Sequence, residues 1–155
     1  MPTHDGGRRR LLAALPFLPF AATGHVSPAA AQAPPPIEQP NERTKAGYLA
    51  RARALRDLAV REGDQAYGAV VVRNGVIVGE GRNFVVRDND PTAHAELLAV
   101  RDAARRLATR DLSDCEVFST AVPCPMCQAA LYWGRVRRWH NESTAAEGMA
   151  PRLAC

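Results

Sequence analysis

His94-Ala95-Glu96 and Pro123-Cys124-Pro125-Met126-Cys127 are the two runs in this chain whose residue types and spacing could do chemistry. Together they supply one imidazole and two thiols able to ligate zinc, with one carboxylate, Glu96, to spare. Three protein ligands leave a fourth position for water, which a catalytic zinc site requires and a closed structural site lacks. One neutral imidazole and two thiolates bring zinc close to zero net charge, so it polarises water less than a three-histidine site and a neighbouring base matters more. Glu96, two residues from His94, is placed to carry a proton from water to a ring nitrogen and later to a departing amine. The chemistry implied is hydrolytic deamination of an amidine-like carbon, with release of ammonia.

Each run has a plainer reading by itself. An H-A-E triplet in a helix is ordinarily surface, and C-P-M-C opening a helix fits a dithiol redox pair or a disulfide. A redox pair gives His94 and Glu96 no role, so the combination favours a metal site. Cys115, in a strand-like run, reads as a buried small hydrophobe and Cys155, the last residue, as disordered or free; four cysteines do not imply two bridges here.

The elements that must position these groups are legible as pattern. A helix begins at Asn41, which can cap it, with Glu42 at its positive end and Leu49, Ala52, Leu55, Leu58 and Ala59 recurring at helical spacing to Arg61; Gly63 ends it. The run AYGAVVVRNGVIVGEG places two β-branched segments around Asn74-Gly75, the mark of an antiparallel hairpin. After a polar loop over 87–91, Thr92 starts a second helix with Leu97, Val100, Ala104 and Leu107 on one face, so His94 and Glu96 fall in its first turn. Backbone N–H groups there are unpaired and the helix dipole is positive, a setting for a developing anion or a carbonyl oxygen. CEVFST reads as a strand, Pro125 and Gly134 bracket a third helix of about ten residues, and RVRRWH is a weak further strand. This order implies helices packed on a sheet, with right-handed crossovers bringing two helix N-termini to one sheet edge.

With 155 residues and 46% apolar content the chain has room for one domain. Residues 1–33 run from Arg8-Arg9-Arg10 through LLAALPFLPFAA to Ala31-Gln32-Ala33, the layout of an export signal of the twin-arginine type. That apolar run is interrupted by Pro16 and Pro19 and is too short for a spanning helix, which needs about twenty residues, so no stable membrane anchor is expected. An exported, periplasmic protein follows, or a cytoplasmic one if the extension is no signal. Pro34-Pro35-Pro36 and Pro40 suggest a spacer over 34–41, followed by a domain over 42–140 and an irregular tail over 141–155. Beyond residue 33, 17 basic against 15 acidic residues leave +2, too mild to argue for nucleic acid; Arg135, Arg137 and Arg138 read as a solvated face.

H-x-E with P-C-x-x-C is the motif pair of zinc-dependent nucleobase deaminases. From Arg43 to Arg138 the chain resembles the cytidine and deoxycytidylate deaminase superfamily, specifically its nucleoside and guanine deaminase branch. AYGAVVV resembles the family's P-F-G-A-V strand, VGEGRN its G-x-N end, DPTAHAE its first ligand motif and PCPMCQAALYWGRV its second. P-C-P-M-C followed by Y-W-x-R looks more like guanine deaminases than transfer-RNA adenosine deaminases. The resemblance implies a three-layer α/β/α cytidine deaminase-like sandwich with a mixed sheet, commonly a homodimer. It implies zinc on His94, Cys124 and Cys127, Glu96 as proton shuttle, and the Ala95 backbone N–H near the base carbonyl. Asn83 would hydrogen-bond the purine, and Tyr67 and Trp133 would line the ring pocket. Apart from the family, Tyr67 and Trp133 read as core aromatics and Asn83 as a turn residue.

Two departures stand out. Val122 occupies a position where the family commonly has Glu. After Arg138 the chain reads WHNESTAAEGMAPRLAC where the family continues through another strand and a helix, so both are expected to be missing, with an exposed sheet edge as the result. The expected activity is zinc-dependent deamination of a free base or nucleoside, guanine to xanthine foremost. Cytosine, cytidine or adenosine deamination and an inactive zinc-binding homologue are the alternatives. Export argues against transfer RNA as substrate.

Overall fold

The computed structural model describes residues 34–142 and the backbone of Glu147–Gly148. The expected export signal over 1–33, most of the tail over 141–155 and Cys155 lie outside the described residues. The element order is α1 (Lys45–Arg61), β1 (Gly68–Arg73), β2 (Val76–Arg82), α2 (Ala95–Arg106), β3 (Cys115–Ser119), α3 (Pro125–Trp133), β4 (Arg138–Asn141) and β5 (Glu147–Gly148).

Helix α1 starts three residues later than the pattern suggested. Thr44, not Asn41, is its cap, because the Thr44 Oγ1 accepts the Gly47 N–H at 3.2 Å while Asn41 and Glu42 precede the helix. Gly63 ends the turn after Arg61 in the left-handed region, φ +82°, as expected. Asn74 and Gly75, at φ 51° and 76°, close the β1–β2 hairpin with the positive angles that match the strand twist.

The strands form one mixed sheet in the order β2-β1-β3-β4-β5. β1 is antiparallel to β2 and β3, β3 is parallel to β4, and β4 is antiparallel to β5. On one face α1 packs Tyr48 and Leu55 against Val70, Val72, Ile77 and Phe118. On the other, Ala95, Ala99 and Ala103 of α2 and Leu131 of α3 pack against Ala69, Val71 and Val117. The result is the expected three-layer α/β/α sandwich. One expectation is corrected: a further strand is present, since β5 pairs Gly148 with Trp139 and Glu147 with His140, covering that stretch of the β4 edge. The opposite edge strand, β2, is engaged by the proline-rich run expected to be a spacer. Gln39 accepts the Ile77 N–H and donates to the Ile77 carbonyl, both at 2.9 Å, and Arg106 donates to the Pro35 carbonyl at 2.7 Å. Among the described residues no helix is long and apolar enough to cross a membrane.

Because β1 opposes both of its neighbours, β2 and β3 run in the same direction and their carboxyl ends share one edge. Helices α2 and α3 follow those two strands, so both begin at that edge. The seating of α2 depends on glycine. A Cβ on Gly81 would lie 2.2 Å from the Ala95 carbonyl oxygen and 2.6 Å from the Ala99 nitrogen, and one on Gly79 would lie 2.5 Å from the Ala103 nitrogen. These are backbone atoms of a packed helix and cannot swing aside. Gly81→Ala is therefore expected to destabilise the fold by about 2–3 kcal/mol, roughly 10–20 °C in melting temperature. Thermal unfolding measures it, and an unchanged transition would refute this account of the β2–α2 contact.

Candidate metal centre

Both helices that open at this edge use a metal-ligating residue type as N-cap. His94 precedes Ala95 at φ −72°, ψ 147°, Cys124 precedes Pro125 at φ −68°, ψ 167°, and neither side chain caps its helix. Thr92 does not start α2 as expected. Its N–H and its hydroxyl both donate to Asp90 Oδ1, at 2.8 and 2.7 Å, which holds it in the preceding turn and moves His94 from the first helical turn to the cap. Glu96 does lie in the first turn.

The structure brings His94, Cys124 and Cys127 together with their ligand atoms all within 4.8 Å of one another. His94 Nδ1 lies 3.6 Å from Cys124 Sγ and 3.7 Å from Cys127 Sγ. Two atoms bound to one zinc at about 2.1 and 2.3 Å in tetrahedral geometry would stand about 3.6 Å apart, so the spacing and the donor types both fit zinc. Glu96, 6% exposed, places Oε2 3.7 Å from Cys127 Sγ. Burial raises its carboxyl above the ordinary range, against the opposing effects of its own backbone N–H, His94 and Cys127. Burial likewise pushes the Cys127 thiol up, with Glu96 adding to the effect. Cys115 is fully buried and pushed up to about 12 by burial first, consistent with an inert packing role. The turn into α3 is held by Gln128, whose Nε2 donates to the Pro123 carbonyl at 2.8 Å, and by the Ser119 hydroxyl donating to the Ala121 carbonyl at 2.6 Å.

The remaining candidates divide. Ala95 is fully buried at the start of α2. Asn83 is fully buried just after β2; its N–H donates to the Tyr67 carbonyl at 3.1 Å, and the next residue, Phe84, donates to the carbonyl of Ala93 at 3.0 Å, beside His94. Tyr67 is 43% exposed beside it, not a core aromatic. Trp133 is not brought to this cluster. It ends α3, roughly 13 Å along the axis from Cys124, and lies 66% exposed on a groove shared with Val100, Leu112, Ala130 and Tyr132.

Asp64 has no signal in the sequence, being a lone acid in a Gly-Asp-Gln turn, yet it organises this end of the sheet. Oδ1 accepts from the Gln65 N–H at 2.8 Å and Asn83 Nδ2 at 2.9 Å; Oδ2 accepts from the Val86 and Arg87 N–H groups at 3.2 and 3.0 Å. Burial alone would raise its pKa, but these four donors outweigh it and hold the carboxyl at about 2, below the ordinary 3.8. A depressed folded-state value means stability present above pH 3.8 and lost as pH falls through about 2, worth about 2 kcal/mol. The stability gap between wild type and Asp64→Ala, read from urea unfolding, is expected to narrow by that amount between pH 6 and pH 2. A gap independent of pH would show that the carboxylate charge is not what these donors stabilise.

A family model described as the cytidine and deoxycytidylate deaminase zinc-binding region matches residues 42–142. The guanine deaminase of Bacillus subtilis is 45% identical over 89 residues, 57% of this chain and 57% of that protein. The tRNA-specific adenosine deaminase of Aquifex aeolicus is 42% identical over 87 residues, 55% of this chain and 58% of that protein. The chain thus spans a little over half the length of these curated relatives. The crystal structure of the Bacillus subtilis guanine deaminase superposes with a TM-score of 0.60 at 41% identity, covering 62% of each chain. The matched region holds both motifs and the three converging ligand residues, and this chain belongs to the cytidine and deoxycytidylate deaminase zinc-binding family.

Proposed function

We propose that this protein is a zinc-dependent hydrolase that deaminates a free nucleobase or nucleoside, converting guanine to xanthine. Glu96 carries the proposal: a buried carboxylate in the first turn of α2, against a ligand thiol yet outside the ligand set. His94, Cys124 and Cys127 would hold zinc, which when bound supplies a water of lowered pKa at its open position. Glu96 takes a proton from the attacking water as its oxygen bonds to the carbon bearing the amino group, and passes that proton to a ring nitrogen. It then takes the second proton of that oxygen and delivers it to the amino nitrogen as the C–N bond breaks. One water enters, one ammonia leaves and a carbonyl remains. Unpaired N–H groups at the start of α2, that of Ala95 among them, suit a carbonyl oxygen of the base.

Guanine is favoured by P-C-P-M-C with Y-W-x-R and by the similarity to a guanine deaminase, although a tRNA-specific adenosine deaminase is nearly as similar. Asn83 and Tyr67 would contact the ring, and Trp133 is given no part in a pocket formed by one chain. A homodimer is the proposed assembly. Glu96→Gln is expected to retain one zinc per chain while ammonia release from guanine falls by about 10²–10⁴-fold. Zinc analysis beside ammonia release over a panel of bases, nucleosides and a transfer-RNA anticodon stem-loop reads this directly. Metal-free protein with full activity would overturn the mechanism, and turnover confined to another panel member would overturn guanine.

The N-terminal run supports export. Protein recovered from the periplasm of an expressing bacterium should begin near Pro34 by mass; full-length chain retained in the cytoplasm would refute the signal.

A further inference from the structure

Gly79, Gly81 and Asn83 follow one another on a single face of β2 and its extension. Gly79 lies against Ala99 and Ala103, Gly81 against Ala95 and Ala99, so each step of two residues moves about one turn toward the start of α2. Asn83, two residues further on, continues that line toward the start of α2, and its neighbour Phe84 donates to the carbonyl of Ala93, the residue before His94, at 3.0 Å. Its amide is fully specified by what surrounds it. Nδ2 donates to Asp64 Oδ1 at 2.9 Å and to Gln65 Oε1 at 3.2 Å, which uses both of its protons. Oδ1 is buried and has no partner among the described residues. An amide can be turned over to exchange its oxygen and nitrogen, but an ionised carboxylate only accepts, so Asp64 forbids the flipped form.

We propose that Asp64 is a positioning residue that locks the Asn83 amide with Oδ1 as the presented atom, so that this end of the site selects a heterocycle offering an N–H donor. The inference rests on the reading of the metal centre as a base-deaminating site and adds to it a rule for substrate polarity. Oδ1 is shielded from bulk water and has no protein partner among the described residues, so an N–H on an entering ligand satisfies it once that ligand displaces the atoms that now cover it. Guanine, rich in ring and amino N–H groups, meets the requirement. A base placing only a lone pair at this point would leave two acceptors facing each other, and such mismatches are rejected strongly. The remaining acceptor capacity of Asp64 holds the Val86 and Arg87 N–H groups, which anchors the carboxylate itself.

The test reverses the hydrogen bond. In Asp64→Asn the new amide meets backbone donors that cannot move, and Asn83 is free to flip and present its NH₂. With zinc content as the control for folding, kcat/KM for guanine is expected to fall at least about tenfold, mainly through KM. Adding Asn83→Asp to that variant gives Asn at 64 as donor to a carboxylate at 83, which again presents an acceptor. The double variant is expected to regain at least about fivefold. A purely structural role for Asp64 would not be rescued by a second change in a ligand-facing residue, so a double variant no better than Asp64→Asn overturns the proposal. An independent readout is the Asn83 side-chain NH₂ in proton–nitrogen NMR of the zinc-loaded full chain. It is expected to be protected from exchange in the wild type and to lose that protection in Asp64→Asn; fast exchange in the wild type also overturns the proposal. If that protection is seen and no base on the panel is turned over, the amide lock stands and the deaminase reading fails.

Discussion

The close approach of α2 to β2 over Gly79 and Gly81 is the contact on which the site depends. Helix backbone lies where any side chain on those two strand positions would have to go. That approach sets the height and direction of α2, and so carries its cap, His94, to the edge where α3 also begins. Cys124 and Cys127 come to the same point through the chain turn after β3. Two helix starts from different strands then meet because β2 and β3 are codirectional, each antiparallel to β1 between them. The ligand triad is thus a consequence of sheet order and of the missing side chains on β2.

Electrostatics at this edge separates two carboxylates by environment. Glu96 sits in a nearly dry position with few donors, and burial makes its charged form costly. Asp64 is buried too, but four donors surround it and keep it a fixed anion. One carboxyl is suited to gaining and losing a proton and the other to holding its neighbours still. Helix caps that do not cap contribute as well, since His94 and Cys124 leave the first N–H groups of α2 and α3 without side-chain partners from their own N-caps.

Much of the architecture was legible from local pattern, for identifiable reasons. Asn74-Gly75 forced the hairpin because both residues tolerate positive φ. Pro125 and Gly134 bracketed α3 because one lacks a donor that the helix start does not need and the other follows its end. Boundaries failed where a neighbouring side chain outcompeted the expected cap. Thr44 displaced Asn41, and Asp90 engaged Thr92 before it could open α2. The expectation for Trp133 met a different obstacle, because α3, nine residues or about two and a half turns long, sets its two ends apart, and Trp133 is at the far one.

Sequence alone determined the chemistry available: an imidazole, two thiols three residues apart from one another, and a carboxylate two residues from the imidazole. Those groups act within a turn or two of backbone, and spacing reports such neighbours faithfully. Only the tertiary structure decided that His94 meets Cys124 and Cys127, that Trp133 does not join them, and that Asp64 orients Asn83 nineteen residues away. Contacts of that range are set by strand order and by which face of the sheet a residue occupies, and neither is encoded in the spacing of the residues that end up touching.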